Sequence, residues 1–235
     1  MKSRVLIAIV VAASLATAAC GGHRPERRGT LPERRDAPIV YVALGDSTVE
    51  GQGASRRDAN YVSRLHERLR AVYPAARMVN LGIGGARSAD VLAAQVRRAV
   101  DAVPDLVTLS VGPNDITTGV PVARFERHID QILGILERET TAVVVVNLLP
   151  DLAVTPRFRS SDARAVVGRE TVRFNEALAR QARAHRAEVV DLYAASQREV
   201  PARPELISGD GYHPSDAGYL RWAELMWDGV RARIP

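Results

Sequence analysis

Apolar residues along this chain are laid out in two rhythms. Short, nearly continuous apolar runs rich in β-branched residues read as buried strands, and stretches with apolar positions three or four apart read as amphipathic helices. The first run follows Pro38 and holds Ile39, Val40, Val42 and Leu44. Further strands are predicted at 77–81, 106–111, 142–149 and 188–192. The fourth contains consecutive valines, the pattern of a strand buried on both faces of a parallel sheet. Between these runs, Tyr61, Val62, Leu65, Leu69 and Val72 keep helical spacing up to Pro74, and Val91, Leu92, Val96 and Val100 do so between the caps Ser88 and Asp90 and the stop at Pro104. Phe125, Ile129, Ile132, Leu133 and Leu136 mark another helix, with two more over about 163–184 and 215–234. Strands alternating with helices predict an α/β fold, a three-layer α/β/α sandwich on a five-stranded parallel sheet with right-handed crossovers.

Composition changes this picture only at the N-terminus. The 235 residues are 46% hydrophobic and 25% charged, as in ordinary globular chains. The net charge of +5 does not point to nucleic acid: Lys2 is the sole lysine, the arginines are dispersed among Asp and Glu, and no nucleic-acid-binding motif is visible. Residues 1–20 read as a signal peptide, with Lys2 and Arg4 before an apolar stretch from Val5 to Ala16 and small residues before Cys20. Cys20, followed by Gly21 and Gly22, resembles a bacterial lipoprotein processing site, at which the cysteine is lipidated and becomes the mature N-terminus. Thr17 stands where that pattern prefers Leu, so ordinary cleavage near Ala18 or Ala19 stays open. Residues 21–37 hold Gly, Pro and charges and read as a disordered tether, which leaves 38–235 as one domain. The expected protein is exported, anchored outside a membrane through Cys20 or else secreted, and monomeric.

The candidate chemistry sits where the strands end. Gly45-Asp46-Ser47-Thr48, the glycines from Gly82 to Gly85, and Gly112-Pro113-Asn114-Asp115 each follow a predicted strand, and in a parallel sheet such ends converge on one edge. Asp210-Gly211-Tyr212-His213-Pro214 precedes the last helix. Together they supply a hydroxyl, a base, an orienting carboxylate and amide donors, the parts that acyl transfer needs. Taken singly each has a plainer reading, as a turn or a helix cap. His66, His128 and His185 lie in or near helices and read as surface or structural residues. No Gly-x-Ser-x-Gly elbow is present, Arg87 breaks the dinucleotide fingerprint that begins at Gly82, and no metal-binding spacing occurs.

The four blocks GDS, NLGIGGARS, GPND and DGYHP, in that order, resemble those of the SGNH hydrolases, also called the GDSL esterase/lipase family. The resemblance spans the chain from about Val40 to the last helix. It implies the family's flavodoxin-like fold and cleavage of carboxylic esters without a metal or other cofactor. It further implies Ser47 as nucleophile, His213 as general base and Asp210 as the residue that orients it. The oxyanion donors it implies are the Ser47 N–H, a glycine N–H (Gly85 by alignment) and the Asn114 side chain. Beyond the fourth strand, Leu152, Val154 and Phe158 are candidates for an acyl-contacting wall, with Arg157 and Arg159 for an anionic head group; an inert connecting loop is the other reading. Three functions fit: an esterase, lipase or thioesterase on small or lipid esters, a carbohydrate O-acetyl esterase on envelope polymers, or an idle envelope binding protein.

Overall fold

A computed structural model describes residues 29–235. The signal peptide over 1–20, the lipidation candidate Cys20 and most of the tether lie outside the described residues. Five parallel strands, β1 (Val40–Gly45), β2 (Arg77–Asn80), β3 (Leu106–Ser110), β4 (Val143–Asn147) and β5 (Glu188–Val190), form one sheet in the order β2-β1-β3-β4-β5. The helices are α1 (Ser47–Glu50), α2 (Tyr61–Val72), α3 (Ser88–Asp90), α4 (Val96–Asp101), α5 (Pro113–Thr117), α6 (Val122–Glu139), α7 (Ser161–Ala184), α8 (Leu192–Ala202) and α9 (Asp216–Arg231).

The apolar strands sort into two cores because successive side chains point to opposite faces. Val40, Val42 and Leu44 of β1 join Val144 and Val146 of β4 under α4, α6 and α7. Ile39, Tyr41 and Ala43, with Val143 and Val145, pack on the other face under α2 and α9. This is the three-layer sandwich expected from the sequence. The strand order reverses direction between β1 and β3, and an open α/β sheet places its ligands at the carboxyl ends of the strands flanking such a point. Ser47 follows one of those strands and Asn114 the other.

Three local features depart from the sequence reading. Residues 29–37, read as tether, lie against the domain: Leu31 is buried and its N–H donates to the Arg233 carbonyl, while Tyr73 Oη donates to the Pro32 carbonyl. The fifth strand stops at Val190 because the Asp191 side chain accepts from the Ala194 N–H and starts α8, a helix the sequence reading did not contain. Ser88 does not cap its helix; Arg87 holds the cap position, with its N–H donating to Asp90, and a π-helical turn, Val91–Gln95, follows α3.

Candidate active site

The turn after β1 is built around a close approach. A Cβ added at Gly45 would stand 1.9 Å from the Ser110 carbonyl oxygen, so only glycine lets β1 and β3 run this near each other. Gln95, fully buried on the π-helical turn, clamps both backbone groups of Gly45: its Oε1 accepts from the Gly45 N–H and its Nε2 donates to the Gly45 carbonyl, each at 2.8 Å. Asp46 then caps α1, its Oδ1 accepting from the Thr48 N–H and the Thr48 hydroxyl at 2.9 Å. Ser47 is the first residue of this short helix, where backbone N–H groups have no intrahelical acceptor.

Ser47 meets a residue far away in sequence. Its Oγ lies 2.9 Å from His213 Nε2, and His213 Nδ1 lies 2.6 Å from Asp210 Oδ2. The other Asp210 oxygen accepts from the Ser208 hydroxyl and from the Tyr212 and His213 N–H groups, at 2.8, 2.8 and 2.9 Å. Burial acts to raise the Asp210 pKa, but the hydrogen bonds from His213, Tyr212 and Ser208 outweigh it and hold the carboxyl well below the usual carboxylate range. The loop is pinned by a bridge between Ile207 and Pro214, and Ser215 caps α9 directly after it. Ser47 and His213 are both buried, whereas the Asp210 side chain is 41% exposed.

Asn114, on α5, donates from Nδ2 to the Ala86 carbonyl at 3.0 Å, which ties it to the glycine block and leaves its second N–H free of that bond. Gly85 takes a left-handed φ of +78°, and a Cβ added there would meet nothing within 4 Å. A buried link fixes these two loops to each other. Asp115 accepts from the Ser88 N–H at 2.8 Å and the Ser88 hydroxyl at 2.6 Å, and Ser88 Oγ lies 2.9 Å from His128 Nδ1. Burial raises the Asp115 pKa, and the bonds from Ser88 and the charges of His128 and Arg87 oppose it. Asp46 is pushed up to about 6, chiefly by burial, against the bonds from Thr48 and the influence of His213.

A cavity of about 100 Å³ opens beside Ser47 and His213. Leu152 lines it, as the sequence reading expected; Val154 and Phe158 are not among its lining residues. Phe158 instead packs edge-on against Tyr212, 6.0 Å between ring centroids, and Tyr212 packs edge-on against His213. Arg157 lies over the Tyr212 ring at 4.8 Å, and its N–H donates to the Gly211 carbonyl. This part of the loop therefore backs the histidine loop. Nine of the 22 residues that line the cavity come from α8 and α9.

The profile of the GDSL-like lipase/acylhydrolase family matches residues 43–221, a span that holds every candidate residue named above except Cys20. The chain belongs to that family. It is thus a carboxylic ester hydrolase of the GDSL type. No curated relative matches the sequence. Among solved structures, this GDSL-family chain is similar to the lipase/acylhydrolase from Enterococcus faecalis (21% identity, TM-score 0.68, covering 84% of this chain and 97% of that one). It is also similar to Axe2, an acetylxylan esterase from Geobacillus stearothermophilus (20%, 0.68, 83% and 94%). A third likeness is to LAE5, an alpha/beta hydrolase from the metagenome of Lake Arreo, Spain (20%, 0.69, 85% and 98%). At these identities the likeness shows the fold.

Several residues around the site went unread in the sequence. Gln95 sat in an apparently regular helix, and a π-turn leaves no sequence mark. The Ser88–Asp115–His128 link joins three elements, which no local spacing signals. Ser208 was the readable one, since a serine two residues before an aspartate commonly bonds within a turn.

Proposed function

We propose that the protein is an exported serine esterase that cleaves carboxylic esters through Ser47, His213 and Asp210. The observation that carries this reading is the continuous hydrogen-bond chain from Ser47 Oγ through both His213 nitrogens to Asp210, with Ser47 and His213 on the cavity wall. His213 Nε2 takes the Ser47 proton as Oγ attacks the acyl carbonyl carbon. The oxyanion of the tetrahedral intermediate is bound by the N–H groups of Ser47 and Gly85 and by the Asn114 amide; one such donor contributes about 3 kcal/mol to the transition state. Collapse breaks the ester C–O bond, and His213 returns the proton to the departing alcohol. Water then attacks the acyl-Ser47 ester with His213 again as base, which releases the acid and restores the hydroxyl. Asp210, kept ionised by its bonds, holds the Nδ1 proton facing it and stabilises the imidazolium between the steps.

Export rests on the signal-peptide pattern and Cys20, and a membrane-anchored or secreted enzyme acting on small or lipid esters follows from it. A second reading, a carbohydrate O-acetyl esterase, draws on the likeness to an acetylxylan esterase. Hydrolysis of p-nitrophenyl esters from acetate to palmitate by the full chain, with a Ser47→Ala control, tests the proposal. Turnover that vanishes in the control supports it; turnover that survives overturns the assignment of Ser47. Release of acetate from acetylated glycans in preference to longer esters would favour the second reading.

A further inference from the structure

The cavity beside Ser47 has a direction. α8 begins two residues after β5 ends and α9 begins three residues after His213, so both helices leave from the sheet edge that carries the site. Along α8 the cavity is lined at Leu192, Ala195 and Val200, and along α9 at Gly218, Trp222 and Leu225. These are the one-face spacings of a helix. From Gly218 to Leu225 the lining advances about 10 Å along α9, at roughly 1.5 Å per residue. The accessible wall is mostly carbon, although Asp46, Asp151, Glu199 and Arg221 also line it. Arg221 on α9 reaches across to Glu199 on α8, with Nε to Oε2 and Nη2 to Oε1 both at 2.9 Å, and Nη1 also donates to Glu224 at 3.1 Å. An alkyl chain laid against this pair would have to strip water from ions that it cannot bond.

We propose that the groove between α8 and α9 seats the acyl chain of the ester. Ala195, Val200 and Leu225 set the length accepted, so the preferred substrates are esters of unbranched aliphatic acids of medium chain length. The inference rests on the serine-esterase reading above and adds the substrate class. The groove suits the acyl part rather than the alcohol because of the reaction order. The alcohol must leave before water can occupy its place at His213, whereas the acyl part stays bonded to Ser47 through both half-reactions. A chain held in the groove therefore contributes to both transition states.

The test uses the full chain and a series of p-nitrophenyl esters from acetate to decanoate, so that only the acyl part varies. Each methylene that enters the groove is expected to raise kcat/KM about fourfold, the effect of burying one CH₂, up to a maximum at medium length. Val200→Trp, at a half-buried position, is expected to move the maximum to shorter chains, with octanoate falling at least about tenfold and acetate within about twofold. Ala195→Phe makes the same cut nearer Ser47. The pair Glu199→Leu with Arg221→Leu removes both ions together and is expected to move the maximum to longer chains. A series of acetyl esters of alcohols from methanol to octanol forms the second arm, and the variants are expected to leave its profile unchanged. A flat acyl series, or variants that alter only the alcohol series, overturns the proposal while acetate hydrolysis keeps the esterase reading standing. No hydrolysis of any ester by protein with native circular dichroism would overturn the esterase reading first, and this one with it.

Discussion

Among the described residues stand two groups of Ser, His and Asp, and the difference between them lies in which residue stands in the middle. In the first, His213 is central, with Ser47 at one ring nitrogen and Asp210 at the other. In the second, Ser88 is central, with its hydroxyl donating to Asp115 and lying beside His128 Nδ1. A central histidine can take the serine proton while its own charge is balanced by the carboxylate. A central serine has given its one proton to a carboxylate and has no base facing its oxygen, since an imidazole Nδ1 beside that oxygen must donate to it. Exposure agrees with connectivity: Ser47 reaches the cavity, and Ser88 is fully buried. The same three residue types thus make a reactive chain in one place and a strut in the other.

The comparison breaks most sharply at the first group. Ser47→Ala and His213→Ala are each expected to lower kcat by about 10⁴–10⁶-fold with little change in KM, measured on p-nitrophenyl butyrate. Asp210→Asn is expected to cost about 10⁴-fold, because an amide facing His213 Nδ1 favours the wrong tautomer. The amide oxygen can still accept from Ser208, Tyr212 and His213, so the melting temperature of that variant should stay close to the wild-type value. A large loss of stability instead would make Asp210 a loop anchor first and an orienting residue second.

The two groups also differ in how far the sequence disclosed them. Asp210 and His213 lie three residues apart on one loop, and Ser47 ends a strand whose apolar run is plain, so both halves of the reactive chain had local signatures. The strut had none: Ser88, Asp115 and His128 belong to different elements, and Ser88 read as a helix cap because serine before an apolar run commonly is one. The five strands were legible for the same reason as Ser47, since burial on both faces leaves long apolar runs. α8 was not. Its buried face is only Leu192 and Ala195, and Pro201 inside the helix argues against one. As α8 supplies five of the residues that line the cavity, the substrate was the least readable part of the molecule.

Two carboxylates near Ser47 carry opposite pH signatures. The Asp46 carboxyl is pushed up from 3.8 to about 6, mainly by burial, while Asp210 is held low. A raised folded-state pKa means that the folded protein holds its proton longer than the unfolded chain, so the stability contributed by neutral Asp46 is full below about pH 4 and is lost as pH rises through about 6. The shift corresponds to about 3 kcal/mol. Asp210 works the other way: its contribution is present above the usual carboxylate pKa and lost as pH falls through its depressed value. Asp46→Asn retains an oxygen to cap Thr48 and removes the titration. Urea unfolding should then show the wild-type protein losing stability between pH 4 and 6 relative to the variant, by about 2–3 kcal/mol. Parallel pH curves would mean that Asp46 is ionised in the fold.

The smallest expected effect is the one that tests the strut itself. Ser88→Ala leaves the buried Asp115 carboxylate without its hydroxyl donor, and Asp115→Asn replaces an acceptor with an amide; either is expected to cost about 1–3 kcal/mol of stability. On activity the prediction is narrower. The strut joins the loop of Gly85 to the helix that bears Asn114, so loosening it should blur donors that act on the oxyanion rather than on the bound ester. The expected result is a fall in kcat of about tenfold with KM nearly unchanged, a fraction of what losing one donor outright costs. His128→Gln, which keeps a donor for the Ser88 oxygen, should restore most of what His128→Ala removes. If Ser88→Ala instead abolished turnover as completely as Ser47→Ala in a folded protein, Ser88 would belong to the chemistry, and the order of connection would no longer separate the two groups.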